Sequence, residues 1–110
     1  MKKNERVKSN VEFNSIIQKG KKTSNKYFTI FFIESDQTIV RFGISAPKKL
    51  GNAVIRNKLK RQTRHLVDET KNLFKNRRNY IIITKEACLH SSFETKLKAL
   101  KELIGETNET

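Results

Sequence analysis

From Ala53 to Phe74 the chain contains neither glycine nor proline, and Asn52, a favoured N-cap residue, stands directly before this stretch. A long helix is the expected outcome. With Ile55 set to zero and about 100° per residue, Leu59, Leu66, Val67, Thr70, Leu73 and Phe74 fall within about 120° of one another. On the same wheel Arg56, Asn57, Lys60, Arg61, Arg64 and Lys71 occupy the arc from about 100° to about 240°. One face therefore needs a core and the other is basic. The rest of the chain must supply the apolar layer that this helix covers.

The flanking segments are read as follows. Ser9-Asn10-Val11-Glu12 has the form of a capping box, so a helix is expected over 10–19, with Val11, Phe13, Ile16 and Ile17 as its apolar stripe. Gly20 would end it in a left-handed conformation. Tyr27 to Ile33 and Thr38 to Ser45 are rich in aromatic and β-branched residues, and Glu34-Ser35-Asp36-Gln37 between them reads as a hairpin turn. Two antiparallel strands follow, with Lys21 to Ser24 as a short third candidate. The continuous apolar run at Tyr80 to Thr84 suits a central strand covered on both faces. Ser91-Ser92-Phe93-Glu94 repeats the capping pattern ahead of Leu97, Leu100, Leu103 and Ile104, which gives a last helix; Gly105 to Thr110 is expected to fray. Phe28, Phe32 and Phe42 are assigned to the core. The class is α+β: helix, two or three antiparallel strands, long basic helix, central strand, C-terminal helix, within one domain spanning residues 1–110. No repeat or low-complexity segment interrupts it.

Charge narrows the function. Lys and Arg total 24 against 11 Asp and Glu, a net charge of +13. That exceeds the roughly 2 to 8 charges that keep a small domain soluble, and it implies a polyanionic partner. A polybasic membrane binder would show an exposed apolar face beside its cations, whereas here the apolar faces are committed to a core. No stretch approaches the roughly 18 apolar residues of a membrane span, and no apolar run follows MKKNERVKSN as in a signal peptide. Cys88 is the sole cysteine, which fits a reducing compartment and a small buried hydrophobe. An enzyme in its own right would need clustered carboxylates or a histidine pair; the acids are scattered, and His65 and His90 lack partners at ligand spacing.

The most informative stretch runs from Arg41 to Arg64, where Arg41, Lys48, Lys49, Arg56, Lys58, Lys60, Arg61 and Arg64 occur without one acidic residue. Arginine holds phosphate bidentately, lysine acts as a mobile point charge, and asparagine bonds phosphate or a base edge. Over the first turns of a helix they join the positive end of its dipole. Gly51 suits either a close backbone approach or a plain helix-initiating turn.

The segment KKLGNAVIRNKLKRQTR resembles the signature of the bacterial ribonuclease P protein family: KK, then GNA-x-x-RN-x-x-KR-x-x-R. The similarity extends to Arg6-Val7-Lys8 with Phe13, to Gly20 and Asn25, to Arg41-Phe42-Gly43-Ile44-Ser45, and to the strand at Tyr80. The resemblance implies a ribosomal-protein-like α+β fold with a left-handed βαβ crossover carrying the basic helix. It implies a protein that binds a large catalytic RNA and the 5′ leader of precursor tRNA, in the cytoplasm, and helps remove the leader. By it, Lys48, Lys49, Asn52, Arg56, Asn57, Lys60, Arg61 and Arg64 contact RNA, and Phe13, Ile17 and Phe31 line a leader-binding cleft. The chain itself would hold no cofactor and no catalytic residue, the Mg2+ ions coming with the RNA subunit. Phe31 stands where the family often has Tyr, and Ile17 where it often has Phe; Phe13 suits cleft or core. Ala46-Pro47 replaces the usual residues before the paired lysines, so the strand should stop by Ser45. The alternative for a chain of this size and charge is a ribosomal or RNA-chaperone-type protein.

Overall fold

A computed structural model describes residues 1–109. Its elements are α1 (Asn10–Lys19), β1 (Lys21–Ser24), β2 (Phe28–Glu34), β3 (Arg41–Ser45), α2 (Ala53–Thr70), β4 (Arg78–Thr84) and α3 (Phe93–Asn108), with short 3-10 turns between several of them. The four strands form one mixed sheet in the order β1-β2-β4-β3. β2 pairs antiparallel with β1 and β4, while β3 runs parallel to β4, so β3, α2 and β4 make a βαβ unit. The fold class is the α+β one expected.

The proposed hairpin between the second and third strands is corrected. β4 lies between them, pairing along its whole length with β2 and from Asn79 to Ile83 with β3. The reason lies in β4 itself. Tyr80, Ile81 and Ile82 are fully buried, and such a strand at an edge would leave apolar residues and unpaired backbone exposed. Residues 35–40 therefore bridge across a strand instead of turning tightly.

Side chains alternate across the sheet. Phe28, Ile30, Phe32, Phe42, Tyr80 and Ile82 point into the main core, where Leu59, Leu66 and Val67 of α2 and Leu100, Leu103 and Ile104 of α3 cover them. Phe42, Phe74 and Tyr80 form an aromatic cluster, Phe74 standing edge-on at 4.8 Å from each of the other two. Cys88 is buried in the same core. The opposite face carries Thr29, Phe31, Ile81, Ile83 and Gly43, and α1 packs on β2 and β4.

The ends of the elements differ from expectation in several places. Ser9 caps α1 by accepting from the Glu12 amide at 3.0 Å, but Glu12 does not return to the cap; its carboxylate takes both arms of Arg41, at 2.5 and 2.9 Å. Gly20 has φ −77°, an extended residue and not a left-handed one. It is glycine for space: an added Cβ would lie 2.4 Å from the Ile16 carbonyl oxygen and 2.8 Å from that of Phe32. Thr70 ends α2 by bonding back to Leu66 O at 2.9 Å, and Lys71–Leu73 tighten into a 3-10 turn. That tightening turns Leu73 outward, to 45% exposure, so it is not a core residue; Ile55, on the first turn, is likewise 40% exposed. Lys71 leaves the basic face and pairs with Glu5 and Asp68.

At α3 the cap is Ser92, accepting from Thr95 N at 3.1 Å, while Ser91 donates to Ala87 O. The expected fraying from Gly105 is also corrected, since the helix continues to Asn108. Arg78 donates to Thr107 O at 2.9 Å, Asn108 donates to Leu73 O at 2.7 Å, and Thr107 is fully buried. Thr110 lies outside the described residues. β3 stops at Ser45, as Pro47 requires.

Candidate nucleic-acid interface

The basic surface is built from a short turn and the helix after it. Lys48–Leu50 form a 3-10 turn pinned by buried Leu50, with Lys48 and Lys49 exposed just before the anchor. Gly51 then adopts φ 145°, a region where a side chain is strained, so glycine is needed for the backbone at the entry to the helix. Asn52 caps α2, its Oδ1 accepting from Ile55 N at 3.1 Å. The cap aligns the unpaired amides and the positive dipole end with the same surface.

Along α2 the buried residues Leu59, Thr63, Leu66, Val67 and Thr70 fix the helix rotation. That rotation leaves Asn57 and Arg61 exposed and Arg56, Lys60 and Arg64 half-buried on the outer side. Of the eight residues assigned there, Arg56, Asn57, Lys60, Arg61 and Arg64 thus share the outer side of α2, and Lys48, Lys49 and Asn52 lie in the turn and cap directly before it. Arg56 Nε is shielded and has no hydrogen-bond partner. Among the described residues, none of Lys48, Lys49, Arg56, Lys60, Arg61 or Arg64 takes part in a salt bridge.

The acids of the helix sit apart, in its last turns. Asp68 meets the Met1 ammonium at 2.7 Å, and Glu69 lies 3.6 Å from His65. Burial opposes ionisation of Asp68, but the Met1 ammonium and Lys71 outweigh it and hold its carboxyl below the ordinary value. Glu5 is lowered too, chiefly by its hydrogen bond from Lys71. Of the basic residues in the acid-free stretch, Arg41 is spent on Glu12 and on Arg6 O, and serves to lock α1 to β3.

A second surface lies on the α1 side of the sheet. Phe31, Ile81 and Gly43 form one row across β2, β4 and β3, and Thr29, Ile83 and Ser45 the next. Phe13 and Ile17 reach this side from α1, and both, like Phe31, are half-buried. A Cβ on Gly43 would stand 3.0 Å from the Phe13 ring, so Phe13 is seated on the sheet while part of it stays open. Lys22 holds its amine 5.8 Å from the Phe31 ring centroid. The rows continue into a groove of about 870 Å³ bounded by Lys26, Thr29, Pro47, Lys49, Ile83 and Lys85. This groove, which links the sheet face to the Lys49 turn, was missed by sequence reasoning; its lining comes from three separate segments. No cluster of three or more His, Cys, Asp or Glu suited to a metal ion occurs among the described residues. No helix is long and apolar enough to cross a membrane.

An α+β fold with an acid-free helical face beside a partly open sheet defines a class, that of RNA-binding proteins. Known proteins give the family. The ribonuclease P family model matches residues 1–108. A Bacillus cereus ribonuclease P protein component is 38% identical over 101 residues, covering 91% of this chain and 88% of that one. A Staphylococcus aureus RNase P protein, solved as a mutant with defective mRNA degradation activity, superposes with a TM-score of 0.87 at 30% identity, covering 96% of this chain and 90% of the other. The RNase P protein from Thermotoga maritima gives 0.83 at 28% identity, with 91% and 94% covered. The chain belongs to the ribonuclease P protein family, whose business is RNA binding and tRNA 5′ processing.

Proposed function

We propose that the chain is the accessory subunit of a ribozyme: it binds the catalytic RNA of ribonuclease P through α2 and its preceding turn, and the 5′ leader of precursor tRNA in the cleft beneath α1. The observation that carries this reading is the set of cations on α2 that have no carboxylate partner among the described residues. Unpaired arginines and lysines on a rigid helix are ready to exchange condensed counterions for phosphate contacts, with little reorganisation. Lys48, Lys49, Asn52, Arg56, Asn57, Lys60, Arg61 and Arg64 supply that contact. Phe13, Ile17 and Phe31 supply the apolar wall of the cleft, with Phe31 the best-placed ring for a base and Lys22 beside it for a phosphate.

In this reading the protein binds and orients, and does no bond-breaking itself. No group of three or more His, Cys, Asp or Glu suited to a metal ion occurs among the described residues, and this reading assigns the magnesium ions to the RNA subunit, where they would supply the hydrolytic chemistry. The complex works in the cytoplasm.

The test is the salt dependence of binding to a bacterial ribonuclease P RNA. The wild-type affinity should fall with a log-log slope of several units, and replacing Arg56, Lys60, Arg61 and Arg64 by Ala should remove about one unit per residue. A quadruple variant with the wild-type slope would contradict the assignment.

A further inference from the structure

Lys96 stands in the first turn of α3 and is only 4% exposed. Its ammonium donates to Gln62 Oε1 at 2.8 Å and to the Cys88 carbonyl oxygen at 3.3 Å. Both acceptors are neutral, and no carboxylate pairs with it among the described residues. Buried ammonium groups normally sit against a carboxylate, because neutral oxygens return only part of the hydration lost. Burial accordingly pulls the amine below its ordinary pKa; the Cys88 thiol opposes this, and Lys58 adds like-charge repulsion.

Lys96 also lines a cavity of about 420 Å³ between the start of α2, the 3-10 turn Glu86–His90 and the start of α3. Lys58, His90 and Ser91 share its wall, Leu50 and Leu59 give it an apolar side, and no Asp or Glu lines it. The first turn of α3, capped by Ser92, adds a helix N-terminus to the same region. Cations and a dipole thus converge on a hollow with no negative charge. The cavity lies on another flank of α2 from the basic face: Lys58 falls at about 300° on the helical wheel, outside the arc that holds Arg56 to Arg64.

We propose that this cavity is a phosphate subsite, taking the phosphate of a nucleotide beside Lys96 and Lys58 and its sugar against Leu50 and Leu59. The volume exceeds that of a bare ion and lies within the range of small-ligand sites. An anion there would give Lys96 the counter-charge it lacks. The phosphate comes either from an RNA strand passing this flank or from a free nucleotide or inorganic phosphate, and both present the same oxygens.

The test uses the full chain with Arg56, Lys60, Arg61 and Arg64 changed to Gln, so that the main face does not report. The probes are inorganic phosphate and a short RNA oligonucleotide without terminal phosphates. With phosphate, the Lys96 side-chain amine resonance should shift, and the thermal midpoint should rise by roughly 5 °C at ten times the dissociation constant. Lys96→Met should abolish the phosphate response, and Lys58→Gln, at an exposed position, should weaken phosphate affinity by roughly tenfold. A shift with the oligonucleotide as well identifies a chain phosphate, and a shift with phosphate alone identifies a free anion. A Lys96 resonance unmoved by both probes, or a phosphate affinity unchanged by Lys58→Gln, overturns the proposal.

Discussion

Asn25 shows how much a single polar side chain fixes in this protein. Its Oδ1 accepts from the amides of Tyr27 and Phe28, both at 2.9 Å, its Nδ2 donates to Ala99 O at 3.0 Å, and its own carbonyl takes the Lys85 ammonium at 2.6 Å. It ties the β1–β2 turn to α3 and to the end of β4. Asn25→Ala should lower unfolding free energy by about 2 to 4 kcal/mol in a denaturant titration, since several buried partners lose their bonds together; a change within about 0.5 kcal/mol would contradict this role. Phe31 makes the corresponding case for the cleft. Phe31→Ala should weaken leader binding by about 1 to 3 kcal/mol without altering affinity for leaderless tRNA, measured on the assembled complex, while Phe31→Tyr should retain it. The signature from Lys48 to Arg64 was legible because it is contiguous, confined to one turn and the helix directly after it. Lys96 and Arg78, each 4% exposed, were not, because nothing in a sequence distinguishes a buried cation from a surface one until distant elements close over it. Arg78 is held by Thr107 O and Glu34 and stacks 4.4 Å from the Phe32 ring centroid, partners far from it in the chain.

Among the elements, α2 is polarised along its length: free cations over its first turns, and at its end Asp68, tied to the N-terminal segment, and Glu69, set against His65. Glu5 and Asp68 meet Lys71 there, and Val7 N bonds Phe42 O at 2.9 Å, so the segment is fastened across both α2 and β3. The folded-state carboxyl of Glu5 titrates below its ordinary 4.5, chiefly through the hydrogen bond from Lys71. Its stabilisation is therefore complete above that value and is lost as pH falls through the lower folded value. Thermal melts of Lys71→Met should show a shallower loss of stability between about pH 5 and pH 3 than wild type; parallel curves would remove Lys71 from the account. The starts of the helices were legible from their caps, and α1 in full, but α2 ends four residues before Phe74 and α3 runs on through Gly105 to Asn108, ends set by tertiary bonds. The pairing of the strands was not: β2 and β3 neighbour each other in sequence, but the demand of β4 for cover on both edges comes from a segment beyond α2, and no local turn signal carries it.

At the scale of the whole molecule, a charge of +13 is the least specific property, and its segregation is what matters. Arg41, Lys71 and Arg78 are consumed in ion pairs that hold α1, the N-terminal segment and β2 in place. Those pairs leave the cations at the start of α2 unopposed, a surface that faces outward as a rigid unit beside the open end of the sheet. The α+β class and the basic helix followed from the chain's periodicity, while the groove joining sheet and helix needed the folded structure, since Lys26, Pro47, Ile83 and Lys85 meet only there. The most direct measurement is reconstitution: purified protein is added to a bacterial ribonuclease P RNA with precursor tRNA at low magnesium, and leader cleavage is followed. The account predicts that the protein stimulates cleavage, that the Ala variant at Arg56, Lys60, Arg61 and Arg64 does not, and that the protein alone cleaves nothing. Unchanged cleavage on adding the wild-type protein, or cleavage in the absence of the RNA, would contradict it.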